Sequence, residues 1–87
     1  MSYRLIIKPS AEKQLSHLPR AIAVRVADRL EELADIPRPA GAVKLTGSKN
    51  TWRVRIGEYR IVYEIEDEGR TVLVTIIAHR REVYRGI

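Results

Sequence analysis

The apolar positions of this chain recur with two different periods, and the change from one to the other marks out its elements. From Thr51 to Ile65 the chain alternates: Trp52, Val54, Ile56, Tyr59, Ile61, Tyr63 and Ile65 are apolar or aromatic, with Arg53, Arg55 and Arg60 between them. A period of two belongs to a half-buried strand. Gly57-Glu58 interrupts the alternation, and a two-residue loop with glycine first suits a type II′ hairpin turn. Such a turn pairs Ile56 with Tyr59 and Arg55 with Arg60, and paired residues share a face. The apolar set is therefore predicted on one side of the hairpin and the three arginines on the other.

A period of 3.6 governs the first half of the chain. From Arg20 to Asp35, Ile22, Val26, Leu30 and Leu33 form one stripe with Ala23, Ala27 and Ala34 beside it, which predicts an amphipathic helix. Arg25, Asp28, Arg29, Glu31 and Glu32 fall on its polar side and read as a solvated face with helical charge pairs. A shorter helix is predicted from Ser10, whose hydroxyl can cap it, through Ala11, Leu15 and Leu18 to Pro19; His17 reads as helix surface. Tyr3 to Lys8 is β-branched, bounded by Pro9, and reads as a first strand. Pro37 and Pro39 stop the long helix, and a polar loop runs on to Asn50 with Leu45 tucked under it. Asp67, Glu68 and Gly69 make a second turn before Thr71 to Ala78, an apolar strand expected to be central and covered on both faces. The polar end from His79 to Ile87 reads as a helical turn or a tail.

The order β-α-α-β-β-β predicts an α+β fold within the broad α/β class: a helical hairpin laid on a mainly antiparallel sheet of about four strands. The helix stripe packs on the apolar side of the hairpin, so the arginines face outward.

Length and charge narrow the picture. The 87 residues hold a single domain, 1–87, with a small core, because a chain this short buries only about 60–65% of its unfolded surface. Sixteen Lys and Arg against eleven Asp and Glu leave a net charge of +5, suited to a polyanion or an acidic protein. The absence of cysteine removes disulfide and thiol chemistry. No run approaches the roughly 18 apolar residues of a membrane span, and the N-terminus lacks a signal-peptide layout, so the chain reads as soluble, cytoplasmic and complete.

Charge on the sheet is where chemistry is expected. Like charges directly opposite one another destabilise a ladder, and an anionic partner relieves that cost. Pairing Glu66 with Thr71 across the second turn predicts Ile77 opposite Arg60 and His79 on the arginine side. The set within reach is then Arg53, Arg55, Arg60, His79, one or both of Arg80 and Arg81, and Tyr84. Arginine grips phosphate in a bidentate manner, tyrosine stacks on a base or passes a proton, and histidine titrates near neutrality. That set fits cleavage of RNA by its own 2′-hydroxyl. No metal-ligand spacing, glycine-rich phosphate loop or nucleophile elbow appears, so no metal or cofactor is expected.

Three stretches carry a resemblance: Lys44-Leu45-x-Gly47, the run from Trp52 to Tyr63, and His79-Arg-Arg-Glu-Val-Tyr-Arg85. Together they resemble the RelE toxins of the RelE/ParE toxin–antitoxin superfamily over nearly the whole chain. The resemblance implies a ribosome-dependent endoribonuclease that cuts messenger RNA in the A site and is held inactive in a hetero-oligomer with a cognate antitoxin. It carries the family's two basic positions on the second strand to Arg53 and Arg55, the phosphate-clamping arginine to Arg60, the strand-end arginine to Arg80 and the C-terminal tyrosine to Tyr84. Lys44, Lys49, Arg81 and Arg85 are candidate contacts to RNA. The best-known member has lysines at the first two positions, and arginine stays protonated where lysine can serve as a base. His79, Tyr84 or a ribosomal group must then take the proton. Two rival readings fit the same residues: a non-enzymatic gyrase inhibitor like ParE, or a non-catalytic module that binds RNA or an antitoxin. The His-Arg-Arg-x-x-Tyr set separates the RNase branch from the gyrase branch.

Overall fold

A computed structural model describes residues 3–79, so Arg80, Arg81, Tyr84 and Arg85 lie outside the described residues. In chain order the elements are β1 (Arg4–Ile7), α1 (Pro9–Ser16), α2 (Arg20–Asp35), β2 (Val43–Lys44), β3 (Thr51–Ile56), β4 (Tyr59–Glu66) and β5 (Thr71–His79). The strands form one sheet in the order β1-β5-β4-β3-β2. Every neighbouring pair is antiparallel except β1 and β5, which run parallel. The sheet thus has five strands where about four were expected, the addition being the two-residue β2 inside the presumed loop.

The hairpin forms in the register its sequence dictates. Gly57 has φ +57°, and among the described residues Arg70 is the one non-glycine with positive φ, so Glu58 does not follow Gly57 into that region. This is the type II′ pattern, and it sets Ile56 against Tyr59, Arg55 against Arg60 and Trp52 against Tyr63. The apolar face meets the helices. Val26, Leu30 and Leu33 of α2 are buried with Val54, Ile61, Tyr63, Ile65, Val72, Val74 and Ile77 of the sheet. Each such aliphatic side chain contributes about 1.5–3 kcal/mol by leaving water, and Leu33→Ala would cost about 2–5 kcal/mol through the cavity it leaves. Ile22 packs against the same core from one turn away.

Two ties hold the helical layer to the sheet. The Tyr63 hydroxyl donates to the carbonyl of Pro37 at 2.6 Å, and burial pushes its pKa up to about 12. Asp67, in the β4–β5 turn, accepts from the Tyr3 hydroxyl at 2.7 Å and from both terminal nitrogens of Arg38, at 3.2 and 2.8 Å. Those bonds, Arg38 first and Tyr3 second, hold the Asp67 carboxyl below its usual range. Arg38 in turn lies over the Trp52 ring, 5.3 Å from its centroid.

The structure corrects three expectations. Ser10 is not the cap of α1: the helix begins at Pro9, preceded by Lys8, with no side-chain cap. Proline has the φ of a first helical residue and no N–H to leave unsatisfied, so it sets the start one position earlier. β5 is central, between β1 and β4, but the helices cover one face only; on the other, Leu45 and Ile76 pack on Val62 and Ala78. The third correction is to its register. Glu66 does pair with Thr71, yet a β-bulge opposite Val62 and Tyr63 inserts Thr75 as an extra residue, so Val74 faces Tyr63 while Ile76 faces Val62. Ala78, not Ile77, therefore stands opposite Arg60, and His79 stands opposite Tyr59.

Candidate RNA-binding face

The helix-free face of the sheet is built from alternate residues of four neighbouring strands. Val43, Arg53, Val62 and Ile76 form one cross-strand row, and Arg55, Arg60 and Ala78 form the next. Glu64 and Glu66 lie on the same face farther toward the β4–β5 turn, opposite Leu73 and Thr71. The face therefore has a basic end near Gly57, a small apolar middle and a far end of mixed charge, where Arg4 of β1 continues the row of Glu66 and Thr71.

Arg60 is the most constrained of the three arginines. It is only 3% exposed, its Nη1 donates to the carbonyl of Tyr59 at 3.2 Å, and its buried Nε has no partner. A buried donor on a cation leaves an unmet demand for an acceptor, and the oxygens of a phosphate or a carboxylate are strong acceptors for a guanidinium. Arg53 is half-buried and Arg55 exposed. Among the described residues the ion pairs are Arg29 with Glu32 and Arg38 with Asp67, and none involves Arg53, Arg55 or Arg60. The three guanidiniums share a face, and no acid among the described residues forms an ion pair with them.

His79 does not join them. The bulge turns it to the helix side, where its ring meets Tyr59 edge-on, with centroids 5.5 Å apart and planes at 82°. It lines a cleft of about 430 Å³ between α1 and the sheet, together with Lys13, His17 and Leu18. His17, expected on the helix surface, is exposed at the C-terminal end of α1, and its Nδ1 is hydrogen-bonded to the carbonyl of Lys13 at 2.8 Å. Lys44 pairs with Trp52 and so belongs to the side of the sheet opposite Arg53, on the edge strand; Lys49 is exposed in the β2–β3 loop. Among the described residues no group of three His, Asp or Glu side chains is placed to hold a metal ion.

Residues 5–84 match the family of ParE toxins of type II toxin–antitoxin systems, parDE. The chain belongs to this toxin family. It is 31% identical to toxin RelG of Mycobacterium tuberculosis over 86 residues, covering 98% of this chain and 99% of that one. Among solved structures, the toxin–antitoxin complex RelBE2 of Mycobacterium tuberculosis superposes with a TM-score of 0.80 at 28% identity, covering 92% of this chain and 100% of the other. The archaeal RelE–RelB complex of Pyrococcus horikoshii superposes with a TM-score of 0.79 at 26% identity, covering 92% and 97%. The RelE-like fold expected for the toxin is the fold found.

Two features of the toxin escaped the sequence. Leu45, Val62, Ile76 and Ala78 make an apolar floor beside the arginines; the hairpin alternation puts Val62 there, but the facing of β5 was misassigned beyond Thr75, which hid Ile76 and Ala78. Arg25, read as ordinary helix surface, approaches the hairpin turn: a side chain on Gly57 would come within 4.0 Å of its Nη1. No sequence period reports that proximity, since it depends on how α2 lies across the sheet.

Proposed function

We propose that this toxin is an endoribonuclease that cuts messenger RNA in the ribosomal A site and so halts translation, working in the cytoplasm where ribosome and message meet. The observation that carries the reading is the adjacency of Arg55 and Arg60, with Arg53 one row away, on a helix-free face where no carboxylate among the described residues pairs with them. In the reaction the 2′-hydroxyl of one nucleotide loses its proton and its oxygen attacks the neighbouring phosphorus. The bond to the 5′-oxygen then breaks, and that oxygen takes up a proton. Negative charge grows on the phosphorane between these events, and fixed guanidiniums facing it lower the barrier without needing to reorganise. Arg60, held by its bond to the Tyr59 carbonyl, serves as the phosphate clamp; Arg53 and Arg55 supply the surrounding charge.

Arginine cannot take the proton, and His79 faces the other side of the sheet. Proton transfer then falls to Tyr84, which with Arg80 belongs to the C-terminal motif outside the described residues, or to a group of the ribosome. No metal is required by this scheme. The test is cleavage of message on translating ribosomes by the purified toxin, with Arg60→Ala and Arg80→Ala expected to abolish it while the fold persists. Normal cutting by both variants would remove the site assignment.

A cognate antitoxin is the expected partner, in a toxin–antitoxin hetero-oligomer. Support comes from relatives of this fold that are found as RelE–RelB and RelBE2 complexes, and from three arginines that form no ion pair among the described residues. Carboxylates of the antitoxin should approach Arg53, Arg55 or Arg60, or the antitoxin should displace the C-terminal segment. The family description, ParE, favours one second reading, inhibition of DNA gyrase by binding. A supercoiling assay run beside the ribosome assay separates the two.

A further inference from the structure

The basic face does not stop at the edge of the sheet. β2 is two residues long and covers β3 only at Trp52 and Arg53, so on the side away from β4 the strand β3 has no neighbour at the level of Arg55. Across that bare edge runs a groove of about 320 Å³ whose walls are Arg55 and Gly57 on the sheet and Arg25, Asp28, Arg29 and Glu32 on α2. Arg55 thus belongs both to the helix-free face, by its register with Arg60, and to the groove that leads around the edge onto the helix.

The charges in the groove are not equally available. Glu32 accepts from Arg29 at 3.1 Å, which pairs off one cation and one anion. Asp28 remains as the second acid, while Arg25 and Arg55 form no ion pair among the described residues. Both are exposed, and Arg25 reaches to the hairpin turn. A track of guanidiniums that form no ion pair among the described residues therefore runs from Arg60 through Arg55 to Arg25.

We infer that this edge groove is a second phosphate-binding subsite, in which Arg25 of α2 holds an RNA phosphate next along the strand from the one gripped by Arg60 and Arg55. The inference rests on the RNA reading above and extends it by one binding residue. A polynucleotide is favoured over an acidic protein because the groove is continuous with the arginine face through a shared residue. A strand of phosphates can follow such a bend, and a planar guanidinium grips each in a bidentate way.

The test measures binding of the toxin to ribosomes programmed with a message made uncleavable by 2′-O-methyl groups, as a function of salt. Each phosphate contact adds about 0.7 to the slope of log K against log salt for a single strand. Arg25→Gln should reduce the slope by about that amount, Arg25→Lys should restore it, and Arg70→Gln, in the turn at the opposite end of the sheet, should leave it unchanged. If Arg55→Gln lowers the slope and Arg25→Gln does not, the subsite is refuted and the RNA reading survives. If the unaltered toxin shows no salt-dependent binding to these ribosomes, both fall. Loss of antitoxin binding in Arg25→Gln with ribosome binding intact would make the groove a protein-docking surface and overturn the inference.

Discussion

Arg55 and Arg60 stand directly opposite one another in the β3–β4 ladder, two like charges at a position where an opposite pair would strengthen the sheet. Cross-strand pairs are worth roughly 0.2–1 kcal/mol, so the arrangement weakens the fold by an amount of that order. Arg55→Glu should therefore raise stability by about 0.2–1 kcal/mol in a denaturant titration while sharply reducing message cleavage. A variant that is both more stable and fully active would show that the pairing serves no anion.

His79 supplies a test of the register. Because the bulge at Thr75 sends it to the Tyr59 side, His79→Gln should leave cleavage within a few-fold of the parent and the shape of the pH–rate profile unchanged. Disappearance of an inflection from that profile in His79→Gln would restore the histidine to the chemistry.

The buried phenol of Tyr63 predicts a loss of stability in alkali. Its pKa is raised to about 12 in the fold, above an unfolded value near 10, so the neutral form is favoured by folding. That contribution is fully present below about pH 10 and is lost as pH rises toward 12. Tyr63→Phe removes this alkaline dependence and leaves the Pro37 carbonyl without its donor, at a cost of about 1–3 kcal/mol at neutral pH. Thermal melts of both proteins across the alkaline range would show whether the difference between them closes.

Asp67 acts in the opposite direction. Its folded pKa is lowered by Arg38 and Tyr3, so its contribution is present above the unfolded carboxylate range near 3.9 and is lost as pH falls through the lower folded value. Asp67→Asn should flatten the acid limb of the stability curve and change little above neutrality beyond a constant offset. The cluster is exposed, so salt should mute the difference.

The hairpin was legible because three local signals agreed: strict alternation on both strands, glycine at the one position that needs positive φ, and a partner pattern of matching length. The long helix was legible for the same reason, its stripe running unbroken from Ile22 to Leu33. β5 was legible as an element but not in its facing. Val74, Thr75, Ile76 and Ile77 are all good strand residues for either side, and a bulge among them leaves no mark in a run with no polar alternation to disturb. A single added residue then reverses every later assignment, which is how His79 came to be placed with the arginines. β2 is a single period long, so no repeat in Val43-Lys44 could announce it. Where chain segments far apart in sequence make the feature, as Arg25 and Gly57 do, the information resides in packing alone.

Arg53, Arg55 and Arg60 crowd one end of the helix-free surface, while at the other Arg4 offsets Glu64 and Glu66, so the unbalanced positive charge lies near Gly57. Any polyanion drifting toward this face is drawn to that end first. On the proposed reading, a strand of RNA would begin its search of the surface beside Arg60 instead of arriving there last.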